Sequence, residues 1–387
     1  MSKINNTWAK GSVRALITIA ITAVLWILVK LIFSLNLSFF NPINDALDNY
    51  QLTDLYFNIH RSSDHSDVQN AAGSDIVIID INECRSRAEI AGLLNRIADA
   101  EPQLVALDVI FGNASSVSQA EDDSLLNSLR RLPNLVIAKN IIPKDDTTFT
   151  AESSFFADQQ FATEAVINFE YGVVRHFTPL QIFGSDTLVS FTKCIADNIG
   201  IDFPNTTNDY LIDYTLPHGM ILSSHEQWND EYLKNKVILI GDLNDYRDQF
   251  VVPVTLKGET RQAGVSIHRQ ILATAAEKHL FRKVPTWIEI PVSAILIFLS
   301  TMLSYFIKRR SKQNEKMSAV AIKWLLNLMQ VGFIVLAIVV AYCLFWGSHW
   351  LFSVKYIIVG FALIELIDKL LKDIKKWIPC LKFGDDD

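Results

Sequence analysis

Three apolar runs in this 387-residue chain end in a carboxylate: DIVIID at Asp80, LVALD at Asp108 and KVILIGD at Asp242. Asn82 and Glu83 follow the first, Asp245, Arg247 and Asp248 follow the third in DLNDYRDQF, and His268 lies further on in GVSIHRQIL. Ligands of open α/β sheets settle beyond the carboxyl ends of the strands. Oxygens from three strand ends, brought together, could hold Ca²⁺ or Mg²⁺, or with Arg247 could hold a polar small molecule. The alternative is that aspartate and asparagine at these positions only cap turns and following helices. His268, on a helix after Gly264, reads either as a pocket residue or as a buried or capping histidine. The expected ligand-binding set is therefore Asp80, Asn82, Asp108, Asp242, Asp245, Arg247, Asp248 and His268.

Other chemistry finds less support. Gly241 is expected to permit a tight turn or a close backbone approach, but an isolated glycine followed by Asp and Leu is not a phosphate loop, and no Walker motif occurs. Ser190, His268 and Asp242 make a nominal triad with no G-x-S-x-G elbow around the serine. No enzyme is expected, and a metal-dependent hydrolase ranks last among the readings. Cysteines at 84, 194, 343 and 380 show no CxxC and no zinc spacing. Cys84 and Cys194 read as two separately buried thiols, with a disulfide left open. No cofactor is expected beyond a divalent cation in the acidic cluster, and nucleic acid is not an expected partner.

These residues must be positioned by alternating strands and helices. DIVIIDIN (75 to 82), LVALDVIF (104 to 111), NLVIAKNII (134 to 142), LIDYTLP and KVILIGDL read as strands. Between them, SRAEIAGLLNRIADA places Ile90, Leu93, Leu94 and Ile97 on one helical face, and EDDSLLNSLRRL begins with acids that suit a helix N-terminus. TLVSFTKCIADNIG and GVSIHRQILATAAEKHL read as two more helices, and residues 143 to 185 as a loop-rich stretch in which VINFEYG and VVRHFTPL form a hairpin-like extension. Continuous apolar strands separated by helices imply an α/β layer with a mostly parallel sheet and flanking helices.

Half of the residues are hydrophobic, the formal net charge is −7, and the apolar residues are concentrated in runs. Residues 13 to 35, 287 to 307, 324 to 346 and 351 to 371 are each long enough to cross a bilayer, so four transmembrane helices are expected beside the α/β domain. The first reads as an uncleaved signal anchor, and the last has an inner-leaflet amphipathic helix as its alternative. Lysines and arginines precede the first run, fill residues 308 to 323 and recur in the tail from 372 to 387. The positive-inside rule then puts residues 1 to 12, that basic loop and the tail in the cytoplasm, and residues 41 to 284 outside. Glu289, just inside the second run, either reaches water or is buried against another helix, with Lys30 a possible partner.

The succession DIVIIDIN, LVALDVIF with the acidic DDSLLNSL, NLVIA, then LIDYTLP, KVILIGDLNDYRDQF with VPVT, and AGVSIHRQIL resembles the CHASE2 sensory domain. The order of a signal anchor, an outer domain and three closely spaced apolar runs is similar as well. The stretch INECRSRAEI is compressed relative to the family, with Arg85 or Arg87 the only counterpart of its arginine. The resemblance implies a sensor in a bacterial inner (cytoplasmic) membrane, with the domain periplasmic or extracellular. Family members usually continue into a cytoplasmic output module, whereas this sequence ends at Asp387. The expected partners are therefore the lipid bilayer, a separate cytoplasmic or membrane output protein and a second copy of the chain. A structural scaffold subunit is the alternative reading.

Overall fold

A computed structural model describes residues 75–351 with short breaks (116, 145–147, 158–160, 170–171, 257–258, 279, 314–318 and 349), residues 11–24 except 14 and 22, and residues 27, 54 and 57. The chain divides into two units, Leu47–Phe281 and a second made of Met1–Ala46 with Arg282–Asp387.

The first unit is built on a seven-stranded sheet. Its strands are β1 (Ile76–Asp80), β2 (Leu104–Leu107), β3 (Leu135–Pro143), β4 (Phe149–Glu152), β5 (Ala162–Val166), β10 (Met220–Ser223) and β11 (Val237–Gly241). The intervening short strands are β6 (His176–Phe177), β7 (Leu180–Phe183), β8 (Asp186–Val189) and β9 (Tyr210–Leu211). The parallel order is β10-β1-β11-β2-β3-β5, and β4 pairs antiparallel with the far end of β3. A strand formed late in the chain is thus inserted between the first two. Its backbone meets both neighbours in register, with Ile240 opposite Ile79 and Leu107.

Helices α1 (Arg87–Asp99) and α2 (Gln119–Arg130) cover one face. Their Leu93, Leu94, Ile97, Leu125 and Leu129 pack with Val77, Ile79, Val105, Leu107 and Ile240 in one buried cluster. Ser86 and Ser118 cap the two N-termini by accepting from Glu89 N and Glu121 N. Helices α3 (Phe191–Ile199) and α4 (Gly264–Ala276) lie against the sheet and bury Ile195, Ile267, Ile271 and Leu272. The alternate strand residues Ile78, Ala106 and Leu239 are at most 1% exposed, as a sheet covered on both faces requires. The expected α/β architecture with a parallel sheet and flanking helices is therefore present.

Several local expectations change. The segment LIDYTLP contributes only Leu211, the second residue of β9, and the edge strand of the sheet is the later MILS of β10. The hairpin lies at β7–β8, whereas VINFEYG continues from a parallel strand and His176–Phe177 pair with β9. TLV belongs to β8, so α3 starts only after Ser190, which caps it. An antiparallel pair, β12 (Gln249–Leu256) and β13 (Glu259–Ala263), carries the chain from β11 to α4. Beside the sheet, Arg175 and Asp54 form a buried two-pronged ion pair at 2.9 and 2.7 Å. Cys84 and Cys194 are both free thiols, the first half-buried and the second buried.

Two glycines govern the packing of α4. A Cβ on Gly241 would lie 2.8 Å from Val265 Cβ, so the absence of a side chain lets the first turn of α4 sit against the end of β11. Gly219 has φ +71, and its Cβ would fall 2.3 Å from Nη2 of Arg269, a buried side chain of α4 that also donates to the Pro217 carbonyl. That position therefore demands glycine for both backbone and space.

In the second unit, α5 (Thr286–Gln313) and α6 (Ala319–Ser348) pack together, and β14 (Phe281–Lys283) pairs through Arg282 and Lys283 with β15 (Trp350–Leu351). Two helical segments among the described residues, Thr286–Arg310 and Trp324–Ala341, are long and apolar enough to cross a membrane, rather than the four expected. The first expected run is described only as a shorter apolar helix, Gly11–Ile21, and the fourth lies outside the described residues beyond Leu351. Glu289 is 1% exposed rather than reaching water, and it shares a buried stripe of α5 with Ser293, Ser300 and Ser304. Small polar residues in such a stripe allow apolar helices to approach closely. Lys30 lies outside the described residues.

Because the obstacle to a Cβ at position 241 is Val265 Cβ, Gly241→Ala should lower the unfolding free energy by about 1–3 kcal/mol. Denaturant titration of the purified chain measures this, and unchanged stability would show that α4 can move away without cost.

Candidate functional site

A cavity of about 690 Å³ opens beyond the carboxyl ends of β2, β3 and β5, within the ~300–1,000 Å³ usual for small-molecule sites. Asp108 lies just after β2, Asn140 and Ile141 on β3, and Val166 at the end of β5. Phe169 follows β5, Gln181 and Ile182 come from β7, and Ser190 and Thr192 from the start of α3. The turn after β11 supplies Arg247 and Asp248, β12 supplies Phe250, and α4 supplies His268 and Ile271.

Asp108, Arg247, Asp248 and His268 are thus brought to one cavity, and the other four expected residues are not among its lining. Asp80 Oδ1 accepts from the backbone N–H groups of Asn82 and Leu243 at 3.0 and 3.1 Å, tying the end of β1 to the turn after β11. Asn82 sits in that turn-forming segment rather than at the cavity wall. Asp242 accepts from Asn244 N at 2.8 Å. Asp245 caps the short 3-10 turn Tyr246–Asp248 through Arg247 N and grips the Arg247 guanidinium at 3.1 and 2.9 Å. These are the capping roles that compete with ligand binding at any strand-end carboxylate. The side-chain hydrogen bond from Arg247, with its backbone N–H and charge, holds the Asp245 carboxyl below the usual carboxylate range.

Asp248 stands at the N-terminus of α4. Its Oδ2 accepts from Gly264 N at 3.0 Å, and a Cβ on Gly264 would lie 2.7 Å from its Oδ1. Ala263, the residue before the helix, offers no side-chain cap, so Asp248 supplies one from a distant turn. Burial nevertheless pushes the Asp248 carboxyl up to about 6; the Gly264 N–H opposes this, and the charges of Asp245 and Asp242 add to it. Asp108 is raised well above the usual range, first by burial and then by the charge of Asp248. His268 is 3% exposed, and burial pushes it down to about 3, so its imidazole is neutral near pH 7. Its ring lies 4.6 Å from the Phe169 ring and 5.0 Å from the Phe191 ring, and its Nδ1 has no hydrogen-bond partner.

The neutral polar wall is organised by Asn168. Its Oδ1 accepts from Ile141 N at 2.8 Å, and its Nδ2 donates to Ile141 O at 2.8 Å and Asn140 Oδ1 at 3.0 Å, continuing strand-like pairing past the end of β5. Gln181 Nε2 donates to Asn168 O at 2.8 Å. Asn140, Asn168, Gln181 and Phe250 were not expected as site residues. Asn140 alone had a local signal, as a polar interruption in an apolar strand.

Ser190 and His268 both line the cavity, but Asp242 does not, and Ser190 is engaged as the cap of α3, so the nominal triad is not assembled. Among the described residues no three His, Cys, Asp or Glu side chains lie together closely enough to hold a metal ion.

The fold and cavity define an α/β binding domain, followed in the chain by two helices long and apolar enough to cross a membrane. Comparison with known families places it more closely: the model of the CHASE2 domain matches residues 21–306. The chain belongs to the CHASE2 domain family, whose domains are extracytoplasmic sensor domains of membrane proteins. No curated protein and no solved structure matches it.

The carboxyl shifts carry a sign. A carboxyl raised in the folded state binds its proton more tightly there than in the unfolded chain, so folding stability falls as pH rises from the unfolded value through the folded one. At alkaline pH the raised Asp108 carboxyl therefore costs stability relative to the unfolded chain, and Asp108→Asn removes that cost. The variant should melt several degrees above the parent at about pH 8, with the gap closing below about pH 4, where both states hold the proton. A variant that melts lower at the alkaline end would show that the carboxylate is stabilised in the fold.

Proposed function

We propose that this chain is a membrane-anchored sensor subunit whose α/β domain lies outside the cytoplasm and binds a small polar ligand in the cavity. Its occupancy is passed through the apolar helices to a separate output protein. In this reading the basic residues from 308 to 323 lie in the cytoplasm. The observation that carries the sensor assignment is the cavity: ionisable groups from three separate elements meet there at a cost in stability, as Asp108, Asp248 and His268 do. The Gly264 N–H bond to Asp248 offsets only part of that cost, and binding sites commonly carry such perturbed groups. Membership of the CHASE2 family and the basic residues from 308 to 323, which begin in the last turns of α5, support the location. The chain also runs from α4, which carries His268 and Ile271, through residues 277 to 285 into α5. A signal that shifts α4 therefore has a short covalent path to an apolar helix.

Three measurements follow. In intact cells a membrane-impermeant maleimide should label a cysteine placed at Tyr246, which is 81% exposed. It should label one placed at Ser311 only after permeabilisation, and labelling of both or of the second alone would overturn the topology. Ile182 lines the cavity and is 63% exposed, so Ile182→Trp can fill the opening without removing a core side chain. Small molecules extracted from the cell surroundings should raise the melting temperature of the parent but not of this variant; equal shifts in both would remove the cavity from sensing. Gentle solubilisation should bring a second protein with the chain, and reproducible purification alone would count against relay in trans.

A further inference from the structure

The hydrogen-bonding inventory of the cavity is lopsided. Thr178 Oγ1 donates to Asp209, Asn168 and Gln181 direct N–H groups to protein carbonyls, and the Arg247 guanidinium is held by Asp245. On the acceptor side, Asp108 has no side-chain hydrogen bond among the described residues, and Asp248 commits one oxygen to Gly264. His268, 3% exposed and lining the cavity, leaves Nδ1 without a partner. Apart from the outer N–H groups of Arg247, whose charge is already set against Asp245, the unspent groups are thus two carboxylates, the charge of one raising the other, and a neutral imidazole able to accept. Around them stand the rings of Phe149, Phe169, Phe177, Phe183 and Phe250, with Phe169 and Phe250 edge to face at 4.9 Å.

We infer that the ligand of this cavity is an organic cation, a protonated amine on an apolar or aromatic frame, whose N–H groups are received by Asp108 and Asp248 while phenylalanine rings enclose the rest. This deepens the sensor reading and rests on it. A cation between two carboxylates replaces repulsion with two attractions, and aromatic faces add to its binding. An anion would meet the same pair with its one strong lining cation already engaged. A bare metal ion is the poorer fit, because the acidic and imidazole groups are not gathered at ligating distance. The ligand must instead span the cavity, as an amine with a carbon frame does.

The pair also imposes a pH dependence. The charged and titratable groups facing it are Arg247, Asp245 and Asp242 on the turn after β11, His268 on α4 and His176 on β6. An amine binds the ionised carboxylates, so its binding releases protons, and its affinity rises with pH through the titration of the pair.

The test uses the full chain in detergent or nanodiscs, titrated with phenethylamine and putrescine, their neutral analogues 2-phenylethanol and 1,4-butanediol, and their anionic analogues phenylacetate and succinate. At least one amine should bind saturably at about pH 8, about tenfold or more tighter than its analogues, and should lose about tenfold by about pH 5. Asp108→Asn should lose a similar factor while remaining folded by its melting temperature. Tighter binding of a carboxylate, equal binding of a neutral analogue, or no binding of either amine overturns the inference. The first two results leave the sensor reading standing, since that reading fails instead when blocking the cavity with Ile182→Trp changes nothing.

Discussion

Helix α4 reaches the sheet where β11 ends in a residue without a side chain, and the cavity depends on that approach. Val265 takes the space that a Cβ on Gly241 would fill, and Gly264 leaves room for the Asp248 carboxylate. With either glycine replaced, the first turn of α4 or the Asp248 side chain must shift. The shift would carry His268, one turn further along the helix. The contact joins three parts of the chain: the last strand inserted into the sheet, the 3-10 turn that follows it and the helix that precedes the two apolar helices in sequence. The N–H of Gly264 gives Asp248 one good hydrogen bond, and the helix dipole favours its charge. Burial still outweighs both, since the carboxyl is raised to about 6.

The balance at the cavity differs from that elsewhere in the domain. Arg175 and Asp54 are buried too, but they satisfy one another through two hydrogen bonds. Arg87 and Asp122 likewise pair, with Ser115 N adding a 2.8 Å bond to the same carboxylate, and Asp122 is held low. Asp108, Asp248 and His268 depart from this pattern because their neighbours are like-charged, aromatic or absent. Where those two pairs offset the burial of their charges, these three groups are left costly where a cavity opens. Marginal stability makes such a cost selectable only where function draws on it.

Much of the sheet was legible because its strands are continuous apolar runs, which only a layer covered on both faces can bury. The strand order was less so. Placing β11 between β1 and β2 pairs residues more than a hundred positions apart, and no local periodicity encodes that pairing. β10 escaped notice because its burial is partial, and the apolar LIDYTLP upstream gave the stronger strand signal. The site divides similarly. Strand-end carboxylates were the right class of residue, but Asp80 and Asp108 look alike in sequence. They differ because Asp80 faces two backbone N–H groups that consume its oxygen, whereas Asp108 ends a strand beside the extended edge formed by β3 and β5. Asn168, Phe169 and Gln181 come from an irregular stretch whose role appears only when it folds over that edge.

A sensor needs a ligand that favours one arrangement over another, and a ligand bound equally to both shifts nothing. The carboxylate pair offers a place where such a difference can arise. In the proposed reading a cation would draw Asp108 and Asp248 toward the ligand and would weaken the bond from Gly264 N that caps α4. The free energy that distinguishes the two states is then concentrated at the first turn of the helix that continues, within ten residues of Ala276, into α5. Neutralising Asp108 and binding a cation would relieve the same repulsion by opposite routes. The amide variant removes one partner and leaves the cap in place, whereas the ligand recruits both partners and competes with it.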